Sequence, residues 1–175
     1  MPALLPNIDP DGLMEFSVVY TDRSLNHMSK RFGGVMCDIG RMLKNVYKAH
    51  SVVLVPGSGT FGMESVARQF AQDAHVMVIR NGWFSYRWTQ IFDMGQIPAT
   101  HTVIKARQAA AEAQAPWAPA PIAEVQAAIA KEKPAVVFAP HVETSAGMIL
   151  PDNYLRAVAD AVHAVGGLFV LDCIA

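Results

Sequence analysis

Two cysteines in 175 residues, Cys37 and Cys173, are too few and too far apart for a disulfide framework. No C-x-x-C or H-E-x-x-H spacing occurs and the six histidines are scattered singly, so no metal ligand set is legible. Charge is scarce as well: 17% of residues are charged, the formal net charge is −1, and there is no basic run. That balance argues against nucleic acid or an anionic membrane surface as partner. The longest apolar runs are broken by charge or proline and cannot cross a bilayer. "MPALLPNIDPDG" lacks the basic start and continuous apolar stretch of a secretory leader. A G-K-[ST] triplet is missing too, which excludes a Walker loop. The expectation from these absences is a cytoplasmic, metal-free globular protein. Apolar residues, by contrast, make up 52% of the chain, enough to build the core of one domain or part of a larger one.

Residues 1–25 carry Pro2, Pro6 and Pro10 and little periodicity, and read as an extended arm before a domain over 26–175. From Met28 onward, Phe32, Val35, Met36, Ile39, Met42, Leu43, Val46 and Tyr47 recur at three and four residues, the stripe of an amphipathic helix. Thereafter short β-branched runs alternate with helical patterns. Strands are expected over 51–56, 75–80, 99–106, 135–140 and 167–172. Helices are expected over 63–70, 83–95, 122–131 and 151–165, with the Ala- and Pro-rich stretch 107–121 as a long loop. This alternation predicts an α/β fold: a mostly parallel sheet with helices on both faces. Such sheets bind ligands at the carboxyl ends of their strands. The segments to inspect are therefore 57–60, 81–84, 141–147 and 172–175. The sequence stops three residues after Asp172 with no helix to cover the last strand, so the domain is expected to be incomplete at its C-terminus.

"VVLVPGSGTFGMESVARQF" joins an apolar run to a glycine-rich turn and a helix start. Unpaired N–H groups and the helix dipole favour an anion there by roughly 0.3–1 kcal/mol, up to about 2 when partly buried. Two chemistries fit. Gly57, Gly59 and Gly62 match G-x-G-x-x-G, and Arg80 after the next strand could meet a 2′-phosphate, as in an NADP-dependent Rossmann oxidoreductase. Pyridoxal phosphate fits as well. It needs an anion cradle, a flat side chain on one ring face and a carboxylate at the pyridine nitrogen. Ser58 and Thr60 supply hydroxyls, Trp83 or Phe84 an aromatic face, and Asp172 a strand-end carboxylate.

"PGSGTFGMESVARQF", "RNGWFSYRW", "HVETSAGMILP" and "GLFVLDCIA", in this order, resemble the class V aminotransferases, the branch of the alanine–glyoxylate and serine–pyruvate enzymes. The resemblance runs from about Thr21 to the end, and "LNHMSKRF" looks like the opening to that family's first long helix. It implies the large domain of a fold-type I pyridoxal-phosphate transferase. Ser58, Gly59 and Thr60 would hold the cofactor phosphate. Phe84, where the best-known members have Trp, would stack on the ring, and Thr144 would lie near the ring hydroxyl. Asp172 would pair with the pyridine nitrogen and Ile174 would pack under the ring, while His141 and Glu143 would order their loop.

The resemblance further implies a homodimer with sites at the subunit interface, and transfer of an amino group from a small amino acid to an oxo-acid. One departure stands out. The family's Schiff-base lysine lies downstream of this aspartate, whereas Lys30, Lys44, Lys48, Lys105, Lys131 and Lys133 all precede it. That lysine is both anchor and proton carrier. The expectation is thus an N-terminal fragment that is inactive alone. The alternatives are the Rossmann oxidoreductase and a non-catalytic partner-binding remnant pairing through an open sheet edge.

Overall fold

The apolar stripe after Met28 does form a helix, α1 (Lys30–Tyr47), in the computed structural model, which describes residues 27, 28 and 30–174. The expected arm over 1–25 lies outside the described residues. The chain divides into two compact units at Pro56 and Gly57. In the first unit α1 buries none of its residues; Val35, Met42, Val46 and Tyr47 are all exposed. A methyl added at Gly33, Gly34 or Gly40 would touch nothing, so no packing reason holds these glycines in the helix.

The run 51–56 corrects an expectation, for it forms no strand, and Val53 is 82% exposed. β-branched composition favours extended backbone, but a strand also needs a neighbour to receive its N–H and C=O groups. No described strand pairs with this run.

The second unit runs α2 (Gly59–Phe70), β1 (His75–Arg80), α3 (Trp83–Gly95), β2 (Thr100–Lys105), β3 (Arg107–Gln108), β4 (Trp117–Ala118) and α4 (Ile122–Glu132). It continues with β5 (Val136–Pro140), β6 (Val142–Glu143), a 3-10 turn (Thr144–Ala146), β7 (Met148–Ile149), α5 (Asp152–Ala164) and β8 (Leu168–Asp172). Four strands form one parallel sheet in the order β2-β1-β5-β8. The stretch 107–121 is not wholly loop: β3 and β4 pair as a small antiparallel hairpin, Arg107 opposite Ala118. α3 ends at Gly95 as expected, with Gln96 taking the left-handed conformation (φ 48°) that closes it.

Alternation along β1 sorts the core. Val76 and Val78 face α2 and α3, packing with Ala67, Trp88, Phe92 and Phe138. Met77 and Ile79 face α4 and α5, packing with Val125, Ile129, Val158 and Val162. Phe138 is fully buried, with its ring centroid 4.4 Å from that of Trp88 and 5.2 Å from that of Phe92. Burying such a side chain is worth roughly 1.5–3 kcal/mol. The sheet order reverses between β1 and β5: the chain moves outward from β1 to β2, then returns to β1's other side. Sheets of this type receive ligands beside such a reversal, at the carboxyl ends of their strands. Among the described residues, no helix is long and apolar enough to cross a membrane.

Candidate functional site

Two helices begin at this end of the sheet, and their first turns are satisfied differently. Ser58 caps α2: its Oγ accepts from the Phe61 N–H at 3.3 Å, and its carbonyl accepts from the Gly62 N–H at 3.0 Å. The Gly59 and Thr60 N–H groups meet no acceptor among the described residues. Thr60 Oγ1 accepts from Arg87 Nη1 at 2.9 Å. Both hydroxyl oxygens thus already accept from the protein, and neither hydroxyl proton has a described acceptor. Four donors at one helix start remain open to an anion.

The start of α3 is closed by Glu143. Its carboxylate accepts from the Phe84 N–H (3.0 Å), the Ser85 N–H (2.9 Å) and Ser85 Oγ (2.6 Å), and also from the Ser145 hydroxyl. Ser145 Oγ takes the Trp83 N–H at 2.8 Å, and Ser85 Oγ takes those of Asn81 and Gly82. Glu143 is fully buried. Burial pushes its carboxyl up, but hydrogen bonds from Ser145, Ser85 and Phe84 outweigh that and hold it below the ordinary value. Gly82 is required by closeness: a Cβ there would lie 2.7 Å from Glu143 Cγ and 2.5 Å from Ser145 Oγ. Glu143 therefore orders its loop, as expected, by clasping the residues after β1.

Between the two helix starts lies a cavity of about 60 Å³, lined by Gly59, Thr60, Met63, Phe84, Arg87, Asp172 and Ile174. Five of the residues singled out in the sequence meet here: Gly59, Thr60, Phe84, Asp172 and Ile174. Ser58 serves as the α2 cap, while Thr144 sits exposed on the 3-10 turn and does not line the cavity. Trp83, the other aromatic candidate, is 58% exposed and also stays outside. The Asp172 carboxylate accepts from the Ile174 N–H at 3.3 Å, and Ile174 reaches over Gly59, whose Cβ would stand 2.5 Å from its Cδ1. The neighbouring Cys173 thiol is pushed up by burial and then by the Asp172 charge. Sequence reasoning missed Met63 and Arg87; Arg87 lies one helical turn after Phe84, a spacing that could have flagged it. A larger groove of about 400 Å³ shares Thr60 and Arg87 but has neither an aromatic face nor a strand-end carboxylate.

The Rossmann context is missing. No strand leads into Gly57, and a methyl on Gly62 would touch nothing, so the third glycine serves no helix–strand packing. Arg80 is engaged elsewhere, 3.4 Å from Thr89 Oγ1 and stacked 5.2 Å from the Tyr86 ring centroid.

Solved structures with this architecture include ureidoglycine–glyoxylate aminotransferase from Bacillus subtilis, at a TM-score of 0.67 and 22% identity over 84% of this chain. Alanine–glyoxylate aminotransferase from Nostoc sp. gives a TM-score of 0.66 with 22% identity over 84% of this chain. Pyridoxamine–pyruvate aminotransferase from Mesorhizobium loti gives 0.67 with 15% identity over 85%. The chain has the fold of these aminotransferases. It spans about a third of their length, 35%, 36% and 36% respectively. The expected α/β class is thereby shown, and the sequence resemblance to class V aminotransferases finds its counterpart in fold. No family model and no curated protein matches the chain.

Proposed function

We propose that the unit from Gly57 onward is the cofactor-facing part of a pyridoxal-5′-phosphate-dependent aminotransferase of the class V kind. The parent reaction would move an amino group from a small amino acid to an oxo-acid such as glyoxylate or pyruvate. The observation that carries this reading is the meeting, around one cavity, of open helix donors, an aromatic ring and a strand-end carboxylate.

The donor set suits the group. The N–H groups of Gly59 and Thr60 and the hydroxyls of Ser58 and Thr60 would hold the phosphate. Phe84 would cover one ring face and Ile174 the other. Asp172 would keep the pyridine nitrogen protonated; Thr144, expected near the ring hydroxyl, stands outside the cavity, between the pinned Glu143 and Ser145. When bound, the cofactor supplies an electron sink for the amino acid's α-carbon. Volume is the tighter criterion, because ligand pockets ordinarily run to about 300–1,000 Å³. Ile174, 73% exposed, fills the space before Gly59 and would have to shift for the ring to enter.

None of the six lysines lines the cavity, so the unit offers no amine for covalent attachment or proton transfer. Binding without turnover is expected of the chain by itself. The exposed apolar residues of α1 support a homodimer, since a second copy of the chain would give that stripe a partner.

The test is a titration of the chain with pyridoxal 5′-phosphate and with pyridoxal, followed by borohydride reduction and mass mapping. Saturable binding of the phosphate ester, weakened by Asp172→Asn and leaving no stoichiometric lysine adduct, is the expected result. Equal binding of both compounds would refute the reading. So would saturable NADP binding abolished by Gly59→Val.

A further inference from the structure

Arg87 belongs to the cavity wall but to none of the roles above. Its Nη1 donates to Thr60 Oγ1 at 2.9 Å, the one hydrogen bond among the described residues that joins α2 to α3. Its guanidinium carbon lies 5.4 Å from the Phe84 ring centroid. Phe84 and Arg87 stand one turn apart on α3, whose first turn is fixed by Glu143 and Ser145, so both side chains spring from an anchored stretch of backbone. Arg41, Arg68 and Arg107 each pair with a carboxylate; Arg87 has none within 4.0 Å among the described residues. A cation without a counter-charge therefore stands beside a helix start whose donors are also open.

We infer that Arg87 is a positioning residue that arms Thr60 for a phosphate ester. This inference rests on the reading above and adds a residue to it. By donating to Thr60 Oγ1, the guanidinium takes up a lone pair of the hydroxyl. The hydroxyl proton then turns away from Arg87, toward an anion at the Gly59 and Thr60 N–H groups. The positive charge, held against the Phe84 face, adds attraction that a neutral ligand does not feel. The effect is selective: it favours the phosphorylated form of the ligand over the same ring without phosphate.

The experiment compares pyridoxamine 5′-phosphate with pyridoxamine, neither of which carries an aldehyde to react with surface lysines, by ligand fluorescence. Arg87→Met is expected to weaken binding of the phosphate ester roughly tenfold or more, the range of a hydrogen bond to a charged group. Binding of pyridoxamine should stay the same within about twofold, the scatter of such measurements. Thr60→Val should cost a similar factor, and the double variant little more than either single change, because both remove one coupled element. Arg87→Lys keeps the charge without the planar fork and should recover part of the loss. Urea unfolding of each variant separates misfolding from lost recognition. If the wild-type chain binds the phosphate ester but the two losses multiply, or fall equally on pyridoxamine, the inference is overturned and the cofactor reading stands. A wild-type chain that does not prefer the phosphate ester defeats both.

Discussion

The starts of α2 and α3 lie side by side in the second unit, and one carries its own anion while the other does not. At α3 the buried Glu143 carboxylate takes two backbone N–H groups and two hydroxyls, and two serine hydroxyls take three more N–H groups. At α2 a single side-chain cap, Ser58, serves a single N–H. Both helices have the same need, because every helix leaves its first N–H groups unpaired and positive. The filled end illustrates how such donors are satisfied: by a compact anion whose oxygens each take more than one hydrogen bond. A fixed anion holds the start of α3, whereas the start of α2 is left with open donors, as the proposed cofactor reading requires.

If so, substitutions at α3 should act on stability and those at α2 on binding. The largest effect is expected for Glu143→Ala, which strands buried N–H groups and should lower the urea unfolding free energy by about 3 kcal/mol. A loss under about 1 kcal/mol, the net value of one ordinary hydrogen bond, would break the comparison. Acid should reproduce that loss in part. The Glu143 carboxyl titrates lower in the folded chain than in the unfolded one. Its contribution is therefore complete above the unfolded value of about 4.3 and disappears as pH falls through the folded value. Glu132, held low first by the Thr102 hydroxyl and then, against burial, by His75, acts in the same window. Glu143→Gln should thus flatten the fall in stability between about pH 5 and 2 without abolishing it, as followed by circular dichroism.

Smaller changes are expected at α2. Ser58→Ala removes a cap and should cost about 1 kcal/mol in the same unfolding assay. Gly59→Val should shift stability by less than about 0.5 kcal/mol, as the added Cβ meets only the far end of the exposed Ile174 side chain. The same change should weaken pyridoxal phosphate binding by at least tenfold, read by fluorescence titration, because the branched side chain blocks approach to the open N–H groups. Unchanged affinity would place the anion elsewhere.

Much of this arrangement was legible beforehand, for identifiable reasons. β1 and α3 occupy 75–80 and 83–95 as expected, since each carries its own period over its full length. Phe84 and Asp172 followed from strand-end positions once a parallel sheet was assumed, whereas Gly59 and Thr60 were marked by the glycine-rich helix start, since no strand precedes them, and Ile174 by the family resemblance. The apolar run at 51–56 misled because composition reports a preference for extended backbone and is silent on whether a neighbouring strand exists. The hairpin of β3 and β4 was invisible: two-residue strands in an Ala-rich stretch have no period to read. The closing of α3 by Glu143 depends on a pairing 58 and 59 residues away, and nothing local marks a loop carboxylate as buried.

That long-range clasp has a consequence for how the unit tolerates being cut. The tip of the β3–β4 hairpin, residues 109–116, lies between the two parts that Glu143 joins and is largely exposed. Protease nicking concentrates at such tips. A nick there would leave one piece bearing α2, β1, α3 and β2, and another bearing α4, β5, α5 and β8. The pieces would still share the β1–β5 ladder, the sheet's two-faced core and the hydrogen bonds from Trp83, Phe84 and Ser85 to Ser145 and Glu143. Nicked chain should therefore run as a single species on gel filtration and come apart only in denaturant. The open start of α2 and the Asp172 carboxylate across the cavity from it would stay together without an unbroken backbone between them.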